Sequence, residues 1–277
     1  MTVRRNLILG FIFSSAVASG LFFLPKSVVS NKPAEVSSET TSKPEENQGK
    51  ESLPELHKPD AATEREISEI RSSMSGNSVE KDLAVSGEKL AKAFLKGKQY
   101  DSAGAWFENS MKLDPSRHLE FEAGSAYFEG LAFSTSPSKL EATGDKVRKL
   151  LSTVDRKNPK YAEAQAKAAM TWVNSPTPMK GILKLREIAS ENPDNVYVAY
   201  QLGVLSFQSG QYEKAVDRFR KVLSLESDNV NAWFYLSSSL MQAGKKKEAL
   251  EAARAGYRLA KEDDSKASFE ELLKQLE

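Results

Sequence analysis

The chain has 277 residues, of which 39 are Lys or Arg and 38 are Asp or Glu, and it contains no cysteine. The absence of cysteine excludes a disulfide framework, a thiolate metal site and a thiol nucleophile. The balanced charge excludes a net field that would draw the whole chain to nucleic acid. A chain of this length holds one or two domains, and its segments can differ in whether they fold.

The N-terminal segment predicts a membrane helix. After Arg4 and Arg5 comes a run without any charge, LILGFIFSSAVASGLFFL at residues 7–24. As a helix this run would measure about 27 Å, which is close to the hydrocarbon thickness of a bilayer. The two arginines predict a cytoplasmic tail at residues 1–6, with the rest of the chain exported.

A second interpretation of the same segment stays open. Ala16, Val17 and Ala18 fit the small-x-small pattern of a signal-peptide cleavage site. Cleavage after Ala18 would release a soluble periplasmic or secreted protein. Because the apolar run continues past this site to Leu24, we favour a retained signal anchor.

Residues 25–77 are predicted to form a disordered linker. They are rich in Pro, Ser, Thr, Glu and Lys and contain few large apolar side chains. Such a segment buries too little surface to offset the entropy cost of ordering it. Within it, Ile67, Ile70 and Met74 recur at helical spacing and allow a short helix from Asp60 to Met74.

The sequence beyond residue 78 repeats at a fixed interval. Pro159, Pro193 and Ser227 are equally spaced along the chain. On this interval two sets of residues align, namely Gly203, Gly210, Tyr212, Ala215, Phe219 and Val222 with Ser237, Gly244, Lys246, Ala249, Ala253 and Gly256. A period of about 34 residues predicts stacked helix pairs. Small residues would let the helices of a pair approach, and larger ones would fill the space between them.

These residues resemble the motif of the tetratricopeptide repeat family. The matching positions are Leu202, Gly203, Gly210, Tyr212, Ala215, Phe219, Trp233, Leu236 and Ala249. The resemblance implies an all-α fold, a right-handed superhelix of antiparallel helix pairs that follows the transmembrane helix and the linker. It implies about five repeat units at residues 78–263 and a capping helix at residues 264–277. The second unit departs most from the pattern, since extra residues at 134–138 leave its geometry open.

In that family the first helices of successive units line a concave surface that binds peptides or partner domains. Carried over residue by residue, the resemblance implies a partner-binding groove lined by Phe121, Phe128, Met170, Tyr197, Tyr200, Val204, Phe207, Asn231, Phe234 and Met241. Aromatic and methionine side chains suit an extended apolar segment or a partner helix. The alternative is that Tyr200, Phe207 and Phe234 pack between adjacent helices. At the positions of the family's carboxylate clamp, only Asn231 is of the required type.

No catalytic residue, cofactor or metal site is predicted. The two histidines, His57 and His118, are isolated, and the Gly-Lys pairs lack the rest of a phosphate-binding loop. The expected function is therefore that of a non-enzymatic scaffold or adaptor, and an unrecognised envelope hydrolase or transferase is the alternative from another class.

The layout resembles bacterial inner-membrane proteins that hold repeats in the periplasm. It implies a single-pass inner-membrane protein with a periplasmic repeat domain. Expected partners are a protein or peptide ligand and, through the N-terminal helix, the membrane. No nucleic acid is expected, and assembly with further copies of the same chain stays open.

Overall fold

The computed structural model describes residues 59–76, 78–134 and 136–277. The predicted membrane segment at 7–24 and most of the predicted linker lie outside the described residues. The described part of the chain is helical and contains no β-strand, which confirms the predicted all-α class. No helix within these ranges is both long enough and apolar enough to cross a membrane.

Within the described ranges the chain forms twelve α-helices and two short 3-10 helices, η1 (Pro115–Arg117) and η2 (Leu131–Phe133). The α-helices are α1 (Ala61–Met74), α2 (Glu80–Lys96), α3 (Tyr100–Leu113), α4 (Glu120–Gly130), α5 (Pro137–Ser152), α6 (Tyr161–Val173), α7 (Pro178–Glu191), α8 (Val196–Gln208), α9 (Tyr212–Leu225), α10 (Val230–Gln242), α11 (Lys246–Leu259) and α12 (Asp263–Leu276).

The helices pack as pairs in chain order, as the repeat predicts. The pairs are α2 with α3, α4 with α5, α6 with α7, α8 with α9, and α10 with α11, and α12 packs against both helices of the last pair. The second helix of each pair also contacts the first helix of the next pair. The first helices contact one another from α4 through α6 and α8 to α10. Each pair therefore buries its apolar surface mainly against its neighbours along the chain.

The core follows the repeat interval even where the motif is weak. Leu151, Leu185, Phe219 and Ala253 lie one interval apart on the second helices of four successive pairs, and each is 0% exposed. Because these residues differ in size but share one environment, the position on the helix decides their burial. The second and third units thus keep the packing of the later ones, although they lack most of the motif.

The turns between paired helices explain the spaced glycines. Gly210 follows α8 with a φ of 72°, and Gly244 follows α10 with a φ of 75°. The N–H of Gly210 donates to the carbonyl of Phe207 at 3.0 Å, which closes the helix end. In the first pair the same left-handed conformation falls on Lys98, with a φ of 56°, because Gly97 lies one residue too early.

Helix α1 lies within the segment predicted as a linker, where the apolar spacing allows a short helix. Asp60 caps the helix, since its Oδ1 accepts a hydrogen bond from the N–H of Thr63 at 2.7 Å. Ile67 is buried with residues of α2 such as Leu90 and Phe94. The apolar spacing at 67, 70 and 74 therefore orders α1 because a partner helix covers it.

The extra residues of the second unit lie between α4 and α5. They follow η2 and contribute the start of α5, where Ser136 is the N-cap residue. The ring of Phe133 in η2 stacks on Tyr100 with 5.6 Å between the ring centroids. The insertion thus lengthens the turn of this unit and leaves the pairing of α4 with α5 intact.

Gly256 provides a test of helix packing at the C-terminal end. A Cβ at this position would lie 2.8 Å from the Cβ of Trp233 and closer still to the ring of Phe269. We expect Gly256→Ala to lower the free energy of unfolding by about 1–3 kcal/mol, because the core has no room for the added methyl group. The measurement is urea denaturation followed by circular dichroism.

The control for this substitution is Gly144→Ala in α5. There the nearest atom to an added Cβ is a guanidinium nitrogen of Arg148 at 3.2 Å, and this long side chain is able to move. Alanine also favours a helix interior over glycine by up to about 1 kcal/mol. The control should therefore unfold at the same urea concentration as the unchanged protein or higher, and equal losses in both variants would contradict the packing argument.

Candidate functional site

The ten predicted groove residues lie on the first helices of four consecutive pairs. They are Phe121 and Phe128 on α4, Met170 on α6, Tyr197, Tyr200, Val204 and Phe207 on α8, and Asn231, Phe234 and Met241 on α10. On α8 and α10 their spacings of three, four or seven residues place them along one side of each helix. We call the surface formed by these sides the first-helix face. Since α4, α6, α8 and α10 contact one another in order, the ten residues lie on neighbouring helices.

The predicted residues differ in how far they are buried. Phe121 and Val204 are buried, Asn231 is exposed, and the other seven are partly buried. Tyr200, Phe207 and Phe234 all pack against the core of the last two pairs. The alternative that these three rings pack between helices therefore holds in part, because each of them also keeps an exposed portion.

Tyr235 on α10 is the centre of an aromatic cluster. Its ring stacks on that of Phe219 at a centroid distance of 5.3 Å and meets the edges of Tyr200 at 5.9 Å and Phe207 at 5.7 Å. Each such pair contributes about 0.5–1.5 kcal/mol beyond the area that it buries. Burial raises the pKa of both Tyr200 and Tyr235, so the two phenols stay neutral. The cluster thus holds Tyr200 and Phe207 in fixed positions at the surface.

The first-helix face is uncharged over its C-terminal half. Helices α8 (VYVAYQLGVLSFQ) and α10 (VNAWFYLSSSLMQ) contain no Asp, Glu, Lys or Arg, whereas their partners α9 and α11 are strongly charged. An amphipathic helix normally turns charged residues toward water. On α8 and α10 the partly or fully exposed positions instead include many aromatic, amide and methionine side chains.

The N-terminal half of the face has a buried cation at its centre. Lys167 on α6 is only 7% exposed, and its Nζ lies between 5.5 and 5.7 Å from the ring centroids of Phe121, Phe128 and Tyr197. The same atom lies 3.3 Å from a carboxylate oxygen of Glu163 and 3.5 Å from one of Glu129. Three rings and two carboxylates from α4, α6 and α8 therefore surround a single ammonium group.

This Lys167 cluster changes the character of the predicted groove around Tyr197. Burial raises the pKa of the Tyr197 phenol, and the negative charges of Glu129 and Glu163 raise it further. The phenol therefore stays protonated, and the positive charge of Lys167 offsets one of the two negative charges of Glu129 and Glu163. The result is a compact polar site at the N-terminal end of an otherwise apolar surface.

Sequence reasoning missed the Lys167 cluster. The only local signal is the i,i+4 spacing of Glu163 and Lys167 on α6, which is common on exposed helix surfaces. The rings come from α4 and α8, each of which is separated from α6 by an intervening helix. Among the described residues, no group of three or more His, Cys, Asp or Glu side chains is placed to hold a metal ion.

A comparison with protein families agrees with the helix pairing. The family profile described as "Tetratricopeptide repeat" matches residues 185–274, from the middle of α7 to the last turns of α12. The resemblance recognised in the sequence is thereby confirmed for these residues. Among curated proteins, none matches this chain.

Solved structures share the fold at low sequence identity. A tetratricopeptide repeat protein from Parabacteroides merdae ATCC 43184 is 12% identical and superposes with a TM-score of 0.53. The superposition covers 77% of this chain and 78% of that protein. The APC/C hetero-tetramer Cut9-Hcn1 is 17% identical, with a TM-score of 0.53 over 78% of this chain and 40% of the other. The MamA protein is 15% identical, with a TM-score of 0.42, and the superposition covers 68% of this chain and 96% of MamA. The first two similarities support the stacked helix-pair fold.

Lys167 can be tested by Lys167→Met, which keeps the length of the side chain and removes its charge. We expect the free energy of unfolding to fall by about 1–2 kcal/mol, because two carboxylates lose their partner and three rings lose a cation. The loss stays below that of a fully buried pair, since Glu129 and Glu163 remain in partial contact with water. Chemical denaturation of the variant and of the unchanged protein measures this difference in the free energy of unfolding.

The control for this test is Lys160→Met. The ammonium of Lys160 lies over the same Phe121 ring at 4.5 Å and pairs with Glu122 at 3.3 Å, but its side chain is half exposed. Exposed pairs contribute about 0–1 kcal/mol, so this variant should lose less stability. If Lys160→Met proved the more damaging of the two, the burial of Lys167 among rings and carboxylates would not stabilise the fold as argued.

Proposed function

We propose that this chain, whose residues 185–274 are tetratricopeptide repeats, is a non-enzymatic scaffold or adaptor that binds a protein or peptide along its first-helix face. The observation that carries the proposal is the absence of charge on α8 and α10, together with the aromatic rings that these helices hold at the surface. Large, rigid apolar side chains are typical of the residues that contribute most binding free energy in protein interfaces.

The chemistry of the face favours an extended apolar segment or one side of a partner helix. Tyr200, Phe207 and Met241 offer apolar contact area, and their partial burial lowers the entropy that they lose on binding. The exposed amide of Asn231 offers a donor and an acceptor to a partner's backbone. The fold is compatible with such a role, since the similar Cut9-Hcn1 structure is itself an assembly of two different proteins.

We further propose that the scaffold acts at a bacterial cell envelope. The uncharged run at 7–24 would anchor the chain in the inner membrane by a single pass, and the repeats would lie in the periplasm. Cleavage after Ala18 would instead give a soluble periplasmic or secreted adaptor.

Site-specific photocrosslinking tests the binding face. A photoreactive residue at Asn231, which is exposed on α10, should crosslink a defined partner in cells, whereas one at Glu251, which is exposed on the second helix α11, should not. A crosslink to a second copy of the chain would identify the partner as the protein itself. Equal crosslinking at both positions would contradict binding on this face.

A variant then connects the crosslink to affinity. Asn231→Arg should weaken binding of the crosslinked partner at least tenfold, which corresponds to about 1.4 kcal/mol, and should leave the melting temperature unchanged because the residue is exposed. Phe207→Ala is a poorer choice, because this ring contacts Tyr235 in the aromatic cluster and its loss should also destabilise the fold.

The membrane anchor has its own test. Mass spectrometry of the N-terminus, performed on the membrane and soluble fractions separately, should find residues 1–24 intact in the membrane fraction. A mature chain that starts at Ser19 and is recovered in the soluble fraction would contradict the anchor. That result would leave the proposal for the first-helix face unaffected, since the two claims rest on different parts of the chain.

A further inference from the structure

A cleft of about 380 Å³ lies between α5 and α7, on the second-helix side of the second and third pairs. Helix α6 contributes its floor through Ala168 and Trp172. On α7 the lining residues include Lys180, Leu183 and Lys184, whose spacings of three and four residues form a single side of that helix. The cleft is thus bounded by the sides of three helices and is separate from the residues of the first-helix face.

The side of α7 beside the cleft exposes two large apolar residues. Leu183 is 58% exposed and Met179 is 57% exposed, and they lie one helical turn apart. At the corresponding places one repeat interval later, α9 carries Glu213 and Asp217, and after another interval α11 carries Lys247 and Glu251. Charged residues are typical of helix positions that face water. Helix α7 therefore departs from the later repeats, because Met179 and Leu183 form an apolar strip at these positions.

Trp172 lies between two cations at the floor of the cleft. The guanidinium carbon of Arg148 lies 5.3 Å from its ring centroid, and the ammonium of Lys180 lies 4.1 Å from it. Arg148 also donates a hydrogen bond to the hydroxyl of Thr171 at 2.6 Å. The ring is only partly buried and has two cations beside it.

The charge of the lining is positive overall. Arg148, Lys180 and Lys184 are cations, and Glu187 is the only carboxylate among the lining residues. Glu187 pairs with Lys184 at 2.7 Å, so its charge is already matched within α7. Arg148 is likewise paired, with Asp145 on its own helix, so Lys180 is the lining cation to which no described residue supplies a carboxylate. An occupant with carboxylates would gain attraction to Lys180, while a basic occupant would be repelled.

We propose that this cleft is a second docking site, which takes an acidic amphipathic helix from a partner protein. The apolar side of such a helix would cover Met179 and Leu183 and would place one or two side chains beside Trp172, and its carboxylates would reach Lys180. A helix in a groove uses residues at i, i+3, i+4 and i+7, and the α7 residues that line this cleft have the same kind of spacing. Because side chains of three helices form a floor and two sides, the site fits inserted side chains better than a flat lipid surface.

The experiment uses two labelled synthetic peptides, each long enough to form about four helical turns. Both carry leucine on one side of the helix, and the other positions are glutamate in the first peptide and lysine in the second. Fluorescence anisotropy with the full-length protein should show that the acidic peptide binds at least tenfold more tightly than the basic one. Leu183→Asp and Lys180→Glu should each weaken the acidic peptide at least tenfold.

Two control variants separate this site from general effects of charge. Lys214→Glu makes the same change as Lys180→Glu at the corresponding place of α9, where the neighbouring residues are Glu213 and Asp217, and should leave peptide binding unchanged. Asn231→Arg should also leave it unchanged, since that residue lies on the first-helix face. The melting temperature of Leu183→Asp should match that of the unchanged protein, because the side chain is exposed.

Three outcomes would overturn the proposal. The first is that the acidic peptide does not bind or binds no better than the basic one. The second is that Lys180→Glu and Lys214→Glu weaken binding equally, which would indicate attraction to the whole surface. The third is that phosphatidylglycerol vesicles bind the protein and lose this binding in Leu183→Asp, while the acidic peptide does not bind. That result would assign the apolar strip of α7 to a lipid surface.

Discussion

The close approach of the two helices in each pair is the constraint on which this structure depends. It requires a small residue opposite a large one. Gly124 lies against Leu151 and Gly203 against Phe219, and a Cβ at either glycine would come within 3 Å of the larger side chain. In the third pair the small residue is Gly181 on the second helix, which lets the backbone of α6 approach instead. At this packing density an added atom destabilises the fold. The second and third units therefore keep the spacing of these large residues, although they lack most of the repeat motif.

This constraint explains which part of the fold could be predicted from the sequence. Positions 219 and 253 were recognisable from the aligned repeat, and the same interval leads back to the buried Leu185 and Leu151. The helix α1 was harder to predict, since its order depends on contacts with α2 that its own composition does not reveal. Periodicity identified the apolar side of α1, and only the packed structure shows what covers that side.

The candidate site was less predictable for a related physical reason. The register of the repeat placed all ten residues on first helices, but it could not tell how much of each ring the next helix covers. Tyr235 buries parts of Tyr200 and Phe207 through ring contacts between α8 and α10. The surroundings of Lys167 come from three helices, and its neighbours Phe121 and Tyr197 belong to the second and fourth pairs. The burial of these rings and of Lys167 depends on contacts between units, so the sequence pattern of a single unit does not predict it.

Helix α6 is the element that the two surfaces share. Lys167 is directed to rings and carboxylates from α4 and α8, while Trp172 lies between cations of α5 and α7. Five other residues of α6 are alanines, and all five are buried against its neighbours, so the helix has little freedom to shift without moving them. A partner that displaced α6 from one side would therefore disturb the contacts on the other. Any effect of one occupant on the other must be reciprocal, since it is a coupling free energy carried by this single helix.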